Sequence, residues 1–460
     1  MKIKNLLLLF LLVTLSNSIT AQEQDLSPWT DNPYGNEWID YSKGYVRVGI
    51  TEDGMYKIPL STLAEKVPGL TAQNVAAWFR GEQIALYIDS DNVVFYGRKN
   101  DGVSDALLFR NSVTGGPDEN QTARLDKTTS FFSEEGSHFF STASNPKRMS
   151  IVDGSSQTGA EPEAFHINTI IKNNSTWGGD DRRVGSIFAF SSSTGSTAST
   201  NELNHSFYQP VNAYIYRIAG SGNGSIPSEF RQSVTLPGFF QGTGSFVELE
   251  YALHGNGDLS HQATVSASID NAGLFSPDKE VASHSFSRYE GLSNKKSLEI
   301  NKNVSSTGTT FIGFKATGSG EGDVFGFSFY KFTYSQTLDM GSVPAKFFLF
   351  PNSAAGRRKI TISNVPADTR VFDISDPSSA KLINNTNQNS NTLTFDAIKN
   401  SESPLRLSLV AGQSIQSVTS SRIYEVNRSL LQQSTNTSAF LTGLKINPEA
   451  FDYLIITHTD

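Results

Sequence analysis

The fold class is decided by the stretch Val247-Glu248-Leu249-Glu250-Tyr251-Ala252-Leu253-His254. Apolar side chains occupy every second position, and a period of two residues is the spacing of a β-strand, whose side chains point alternately to opposite faces. The run Ala263–Ile269 repeats the pattern, with small polar residues at the intervening positions. One set of side chains is therefore expected in a core and the other in water, which is typical of antiparallel sheets.

Outward from this stretch, the surrounding residues predict one large antiparallel β-sandwich of the jelly-roll kind. Thr310–Phe314 and Val324–Tyr334 add two further strands, and the second is dense in aromatic residues. Glycine-rich turns separate the strands, as expected where the chain must reverse. The chain as a whole is predicted to be mostly β, built from tandem antiparallel modules.

The predicted domain organisation follows from where the strand pattern is interrupted. The boundaries are a signal peptide at 1–21, an N-terminal β module at 23–110, a loop-rich connector at 111–160, the large β-sandwich at 161–340, a second β-sandwich at 345–425, a linker at 426–447 and a last strand within 448–460.

The N-terminal module contains three local signals. Asp53-Gly54 stands between two alternating runs and predicts a tight hairpin, because glycine accepts a positive φ without steric cost. A short helix is expected at Leu60–Lys66, between two prolines. Asp89-Ser90-Asp91-Asn92 is interpreted as a turn, with a calcium loop as the alternative. That alternative lacks the later ligand positions and the glycine of an EF-hand loop.

Composition excludes several kinds of function. The net charge of −8 and the pI near 5.5 provide no basic field for nucleic acid. The chain has no cysteine, so it can form no disulfide, thiolate metal site or cysteine nucleophile from its own residues. We therefore expect core burial to provide its stability.

The N-terminus is typical of a cleaved signal peptide. Lys2 and Lys4 precede the apolar run Leu6–Val13, and small and polar residues lead to Ala21, after which cleavage is expected. A membrane anchor is the alternative, but a bilayer-spanning helix needs about 20 apolar residues. The chain is therefore predicted to be exported.

The last ten residues differ from the rest of the chain. Tyr453–Thr457 is an unbroken apolar and β-branched run, as in strands that are buried on both faces in α/β domains. Such a strand needs neighbours and cover. It is expected to be the first strand of an α/β domain that continues beyond this sequence.

No residue is assigned to a catalytic, cofactor-binding or metal site, and no cofactor is predicted. Glu248 and Glu250 have a spacing compatible with a glycosidase pair, but solvent-facing strand carboxylates share it. Arg357-Arg358-Lys359 is interpreted as a basic patch that opens a strand, most simply a solvated turn. Trp177 is the best candidate for stacking on a sugar ring. The histidines lack metal-ligand spacing, and His138 is interpreted as an edge-strand side chain. They are His138, His166, His205, His254, His261, His284 and His458.

Three stretches resemble the gingipain-like cysteine peptidases, and most closely the surface sortases of the type IX secretion system. Phe95–Gly102 is similar to the Tyr-Gly-x-x-Asn-Asp-Gly stretch of their N-terminal region. Val371–Pro377 resembles their Trp-Asp-(Ile/Val)-Thr-Asp-Pro motif, and Asp452–His458 resembles the first strand of their caspase-like domain. The three stretches occur in the family's order along nearly the whole chain.

The resemblance implies the N-terminal, non-catalytic region of an exported cysteine endopeptidase that cleaves C-terminal signals of secreted proteins. The family's catalytic His and Cys lie downstream of that first strand, so His458 is not assigned as a base, and the chain should be inactive by itself. The expected partners are the downstream peptidase domain and other secretion-system components at the outer membrane. The expected location is the periplasm, outer membrane or surface of a Gram-negative bacterium. The alternative is a cell-surface module that binds carbohydrate or protein without catalysis.

Overall fold

The structure is a computed structural model that describes twelve ranges of the chain. These are residues 38–40, 42–103, 130, 133–173, 181–183, 214–220, 226–255, 259–287, 291–318, 323–351, 355–400 and 403–426. The predicted signal peptide, the linker and the terminal strand at 448–460 lie outside them.

Strands dominate the described residues, which confirms the predicted fold class. The helix predicted between the two prolines is confirmed as α1, Leu60–Lys66. The strands of the first third are β1 Val46–Ile50, β2 Gly54–Pro59, β3 Val75–Phe79, β4 Glu82–Ile84, β5 Leu86–Asp89, β6 Asn92–Gly97, β7 Gly136–Thr142, β8 Ile151–Asp153 and β9 Glu161–Pro162. The strands of the middle are β10 His166–Asn173, β11 Asp181–Arg183, β12 Tyr214–Ala219, β13 Glu229–Thr235, β14 Val247–Gly255, β15 Ser260–Ser268, β16 Glu280–Ser287, β17 Gly291–Ser297, β18 Thr309–Ala316 and β19 Val324–Gln336. The last strands are β20 Ala345–Leu349, β21 Gly356–Ile362, β22 Thr369–Asp373, β23 Lys381–Asn384, β24 Asn387–Asn389, β25 Thr392–Lys399, β26 Arg406–Ala411, β27 Gln416–Ser417 and β28 Ile423–Glu425.

These strands form five sheets. Sheet I has the order β28-β1-β7-β3-β4, and sheet II has the order β27-β2-β6-β5. Sheet III follows the path β11-β12-β19-β10-β20-β26-β22-β23-β8, with β14 also paired to β19 and β17 paired to β14. Sheet IV is β24-β25-β21-β9, and sheet V is β13-β18-β15-β16.

Sheets I and II form the first sandwich, and they share one apolar core. The hairpin predicted at Asp53-Gly54 is wrong, because β1 lies in sheet I and β2 in sheet II. The segment between them crosses from one sheet to the other, so Ile50 and Ile58 belong to the same core from different sheets. Gly54 does not adopt a positive φ, so the turn geometry that motivated the prediction is absent. The turn predicted at Asp89-Ser90-Asp91-Asn92 is confirmed, because Asp89 and Asn92 pair with each other at the end of the β5–β6 hairpin.

The last described strands return to this first sandwich. β28 pairs antiparallel with β1, and β27 pairs parallel with β2. Both strands lie inside the range 345–425 that was predicted as a second sandwich, so the pairing crosses the predicted boundaries. The domain boundaries themselves remain predictions.

The large sandwich is formed by sheet V and the β14–β19 part of sheet III. The apolar set of β14 lies in its core, as the alternation predicted. The apolar set of β15, Ala263, Val265 and Ala267, lies in the same core, as predicted. Ile269, just beyond the strand, is 42% exposed, and the predicted solvent-facing Ser266 is buried. Ser266 is covered because Leu274 and Phe275 pack against Gly313, its partner on the neighbouring strand.

Two further cores connect the remaining sheets. Sheet IV packs on the β20–β8 part of sheet III and encloses an apolar core. A separate core lies between the outer face of sheet II and the same part of sheet III, and we call it the junction core. Its members are Met55, Ala85, Val94, Tyr96, Met149, Phe372, Ile374, Ala380, Leu382, Val410 and Ile415. Sheets I, II, III and IV are thereby stacked in four layers around three cores.

Candidate functional site

The first family-like stretch ends in a loop after β6, residues 98–103, which we call the Asn100 loop. Asn100 is buried, and its side-chain oxygen accepts a hydrogen bond from the Gly102 N–H at 2.9 Å. The Asp101 carboxylate accepts from the Val103 N–H at 3.0 Å. Gly102 adopts a φ of +67°, a conformation that favours glycine. The Asn-Asp-Gly sequence therefore specifies two consecutive side-chain-capped turns.

Two arginines converge on the Asn100 loop. Arg80 forms an ion pair with Asp101, and Arg98 approaches the other Asp101 oxygen at 3.6 Å. Both guanidinium groups lie over the Phe79 ring, with carbon-to-centroid distances of 4.9 and 4.8 Å. Burial, and next the neighbouring Arg80, lower the pKa of Arg98. Burial alone would raise the pKa of Asp101, but the hydrogen bond and charge of Arg80 lower it overall.

His138 lies beneath this ion cluster, and its predicted position at a sheet edge is wrong. It is 0% exposed and belongs to β7, which lies between β1 and β3 in sheet I. Its ring stacks on Phe79, and its Nε2 atom accepts a hydrogen bond from the Arg98 N–H at 3.2 Å. Burial lowers the pKa of His138 to about 3. It is therefore neutral at physiological pH and acts as a structural acceptor rather than an acid or base.

Gly136 explains why the chain can approach the loop so closely. A Cβ atom at this position would lie 2.2 Å from the Arg98 carbonyl oxygen. The neighbouring backbone is fixed by a hydrogen bond from the Asn100 N–H to the Glu134 carbonyl oxygen at 3.2 Å. The Asn100 loop thus packs tightly against residues 134–136, which lead into β7.

The second family-like stretch, Val371–Pro377, lies at the junction core. Phe372 and Ile374 are buried there against sheet II. The Asp376 carboxylate accepts from the Ser378 N–H at 3.0 Å and begins the 3₁₀ helix Pro377–Ser379. The Ser378 carbonyl oxygen in turn accepts from the Ala85 N–H of the first sandwich at 2.8 Å. Both family-like stretches among the described residues therefore have architectural roles.

The paired carboxylates of β14 form cross-strand ion pairs. Glu248 contacts Lys295 on β17 at 2.8 Å, and Glu250 contacts Lys331 on β19 at 2.5 Å. Both carboxylates face outward on sheet III, away from the core formed by the alternate residues. This is the ordinary arrangement of charges on a solvent-facing sheet.

The described histidines do not come together. His254 and His261 lie on β14 and β15, which belong to different sheets. His261 is buried and its Nδ1 atom lies 2.9 Å from the Asp323 carboxylate, and the Tyr251 hydroxyl lies 2.7 Å from the His284 ring. No group of three potential metal-ligating His, Asp or Glu side chains occurs within the described part of the chain. His205, His458 and Trp177 lie outside the described residues.

The basic stretch Arg357-Arg358-Lys359 opens strand β21, as predicted, but it is not a solvated turn. Arg358 donates to the Glu163 carboxylate at 2.7 Å, and buried Lys399 donates to the same oxygen at 3.0 Å. The sequence analysis missed this triad. One signal for it was available in the sequence. Lys399 continues the every-second-residue pattern of the buried residues Leu393, Phe395 and Ala397 along β25, which predicts a buried lysine that needs a carboxylate partner.

The family-model and curated-protein comparisons produced no match. Among solved structures, the chain is similar to dimeric latent PorU from Porphyromonas gingivalis, with a TM-score of 0.51 and 12% identity. That alignment covers 84% of this chain and 33% of the PorU chain, so this chain spans about a third of its structural relative.

A second similarity is to the K1 adhesin domain of Lys-gingipain from Porphyromonas gingivalis W83, with 11% identity over 37% of this chain and 95% of that domain. The TM-score of that alignment is 0.21. The PorU similarity shows a shared β-rich fold. Within the described residues, no helix has the length and apolar character needed to cross a bilayer.

Proposed function

We propose that this chain is the non-catalytic N-terminal region of an exported gingipain-like cysteine endopeptidase, of the kind that acts as a sortase in type IX secretion. Its role is to hold the peptidase domain in a folded, correctly placed state at the outer membrane. The peptide-bond chemistry belongs to that domain, because a thiolate nucleophile is required and this chain has no cysteine.

The observation that carries the proposal is the PorU-like fold over 84% of the chain. The motif positions support it, because a scaffold needs fixed relations between its modules. The Asn100 loop joins two strands of the first sandwich, and Phe372 packs between that sandwich and the next. The arrangement supports a rigid platform, which suits positioning better than catalysis.

The test is the processing of secreted cargo in the producing bacterium. Removal of residues 38–426 from the gene should leave type IX cargo with uncleaved C-terminal signals, measured by mass spectrometry of the outer-membrane and medium fractions. A matched strain carrying Glu425→Gln, a substitution of an exposed residue, should process cargo normally. Normal cargo processing in the deletion strain contradicts the proposal.

A binding module is the second candidate, and an aromatic group on the outer face of sheet I favours it. The Trp38 and Trp78 rings stack at 5.7 Å, and Phe139 lies 5.4 Å from Trp38. Tyr424 is 41% exposed on the same face, with Arg47 at 5.0 Å from its ring. Aromatic faces of this kind stack on sugar rings. Binding to a glycan array that is lost in Trp78→Ala would favour this candidate over the scaffold.

A further inference from the structure

A small cleft opens at the side of the first sandwich, where both sheets end. It lies between the β1–β2 crossing and the segment that carries β27 to β28, and its volume is about 220 Å³. This is below the roughly 300–1,000 Å³ of pockets for drug-sized ligands, so its occupant must be small. We call it the edge cleft.

The edge cleft has an apolar floor. Ile50, Tyr56 and Val418 line it, and all three belong to or pack on the core of the first sandwich. The Tyr56 ring is fixed from below, because its hydroxyl donates to the Glu52 carbonyl oxygen at 2.9 Å and the ring packs against Phe95. The floor is therefore preformed, which reduces the ordering cost of binding.

Two opposite charges stand at the rim of the cleft. The Arg422 guanidinium donates one hydrogen bond to the Thr51 hydroxyl at 2.6 Å, which holds it at the cleft that Glu52 also lines. The Glu52 side chain makes no hydrogen bond or ion pair with any described residue, and the other guanidinium donors of Arg422 make none either. Burial and the Glu52 carboxylate raise the pKa of Tyr56, and the Arg422 guanidinium lowers it. Both charges therefore interact with the Tyr56 hydroxyl in the floor of the cleft.

We propose that the edge cleft binds a free α-amino acid with an apolar side chain. The ligand carboxylate lies on the Arg422 guanidinium, and the ligand ammonium lies on the Glu52 carboxylate. The side chain rests on Tyr56, Ile50 and Val418. A zwitterion makes both charge-assisted contacts at once, whereas a ligand with a single charge makes only one of them.

The inference is independent of the proposed function, because the cleft lies within the first sandwich and needs no peptidase domain. Saturation-transfer difference NMR on the full chain tests it, with L-leucine as the probe. N-acetyl-L-leucine lacks the ammonium, L-leucinamide lacks the carboxylate and glycine lacks the side chain. Each should give a weaker signal than leucine.

Three variants assign the binding to the cleft. Glu52→Gln and Arg422→Gln should each weaken leucine binding about tenfold or more, because each removes a charge-assisted contact. Glu425→Gln changes an exposed glutamate outside the cleft and should bind leucine like the unaltered chain. If Arg422→Gln fails to fold, the affinity of the exposed Glu52→Gln variant for leucine shows whether leucine binds in the cleft. The inference is overturned if leucine gives no saturation transfer, or if Glu52→Gln binds it as tightly as the unaltered chain.

Discussion

Truncation of Phe372 to alanine tests whether the junction core couples the first sandwich to the second. The side chain is 0% exposed and packs between sheets II and III. Removal of a buried phenylalanine ring costs about 3–5 kcal/mol, from lost transfer free energy and from the cavity that remains. We expect this cost to appear at the junction, because Val94 and Tyr96 of β6 lose their contact with the Phe372 side of that core.

Hydrogen exchange followed by mass spectrometry measures the opening free energy of individual strands, and so shows where in the fold this cost appears. In Phe372→Ala, the opening free energy of β6 and β22 amides should fall by about 3–5 kcal/mol. The matched control is Phe395→Ala, which truncates an equally buried phenylalanine in the core between sheets III and IV. That variant should lose protection in β25 and β21 while β6 keeps it. Unchanged protection of β6 in Phe372→Ala would refute the coupling.

Three further changes test the polar clusters. Gly136→Ala puts a methyl group 2.2 Å from the Arg98 carbonyl oxygen. The free energy of unfolding should therefore fall by about 1–3 kcal/mol, measured by thermal unfolding. An unchanged Tm would refute the close approach. Burial lowers the pKa of His138 from about 6.5 in the unfolded chain to about 3 in the folded one. The free energy of unfolding is therefore unaffected by this ring above pH 6.5 and declines by about 1.4 kcal/mol per pH unit below it, down to about pH 3. Urea titrations at several pH values should show this slope reduced by one proton in His138→Gln; an equal slope contradicts the assignment. Lys399→Ala, which breaks a buried ion pair, should cost about 3–5 kcal/mol in urea unfolding, whereas Lys302→Ala on the exposed Glu299 pair should cost less than about 1 kcal/mol.

The sequence was a good guide to elements and a poor guide to their partners. The alternation at Val247–Leu253 and the prolines around α1 are local signals, and they identified a strand and a helix correctly. Which sheet a strand joins depends on distant residues. Asp53-Gly54 has the sequence of a hairpin, yet β1 finds its neighbours in β7 and in β28, near the end of the described chain.

The buried polar residues were the least predictable part. His138 looks like any strand histidine until β1 and β3 are placed on either side of it. Arg358 belongs to a run of three basic residues that is typical of a surface, and its ion pair depends on Glu163, the residue that follows β9. Such partners lie far away in sequence, and hydrophobic periodicity contains no information about them.

The central claim is that this chain is the scaffold region of a gingipain-like cysteine peptidase. Sequencing the gene and its transcript downstream of the codon for Asp460 tests it most directly. The account predicts an open frame that continues from the predicted strand Tyr453–Thr457 into an α/β domain, with a histidine and then a cysteine at the ends of later buried strands. A frame that stops there, or continues without that pair, contradicts the account.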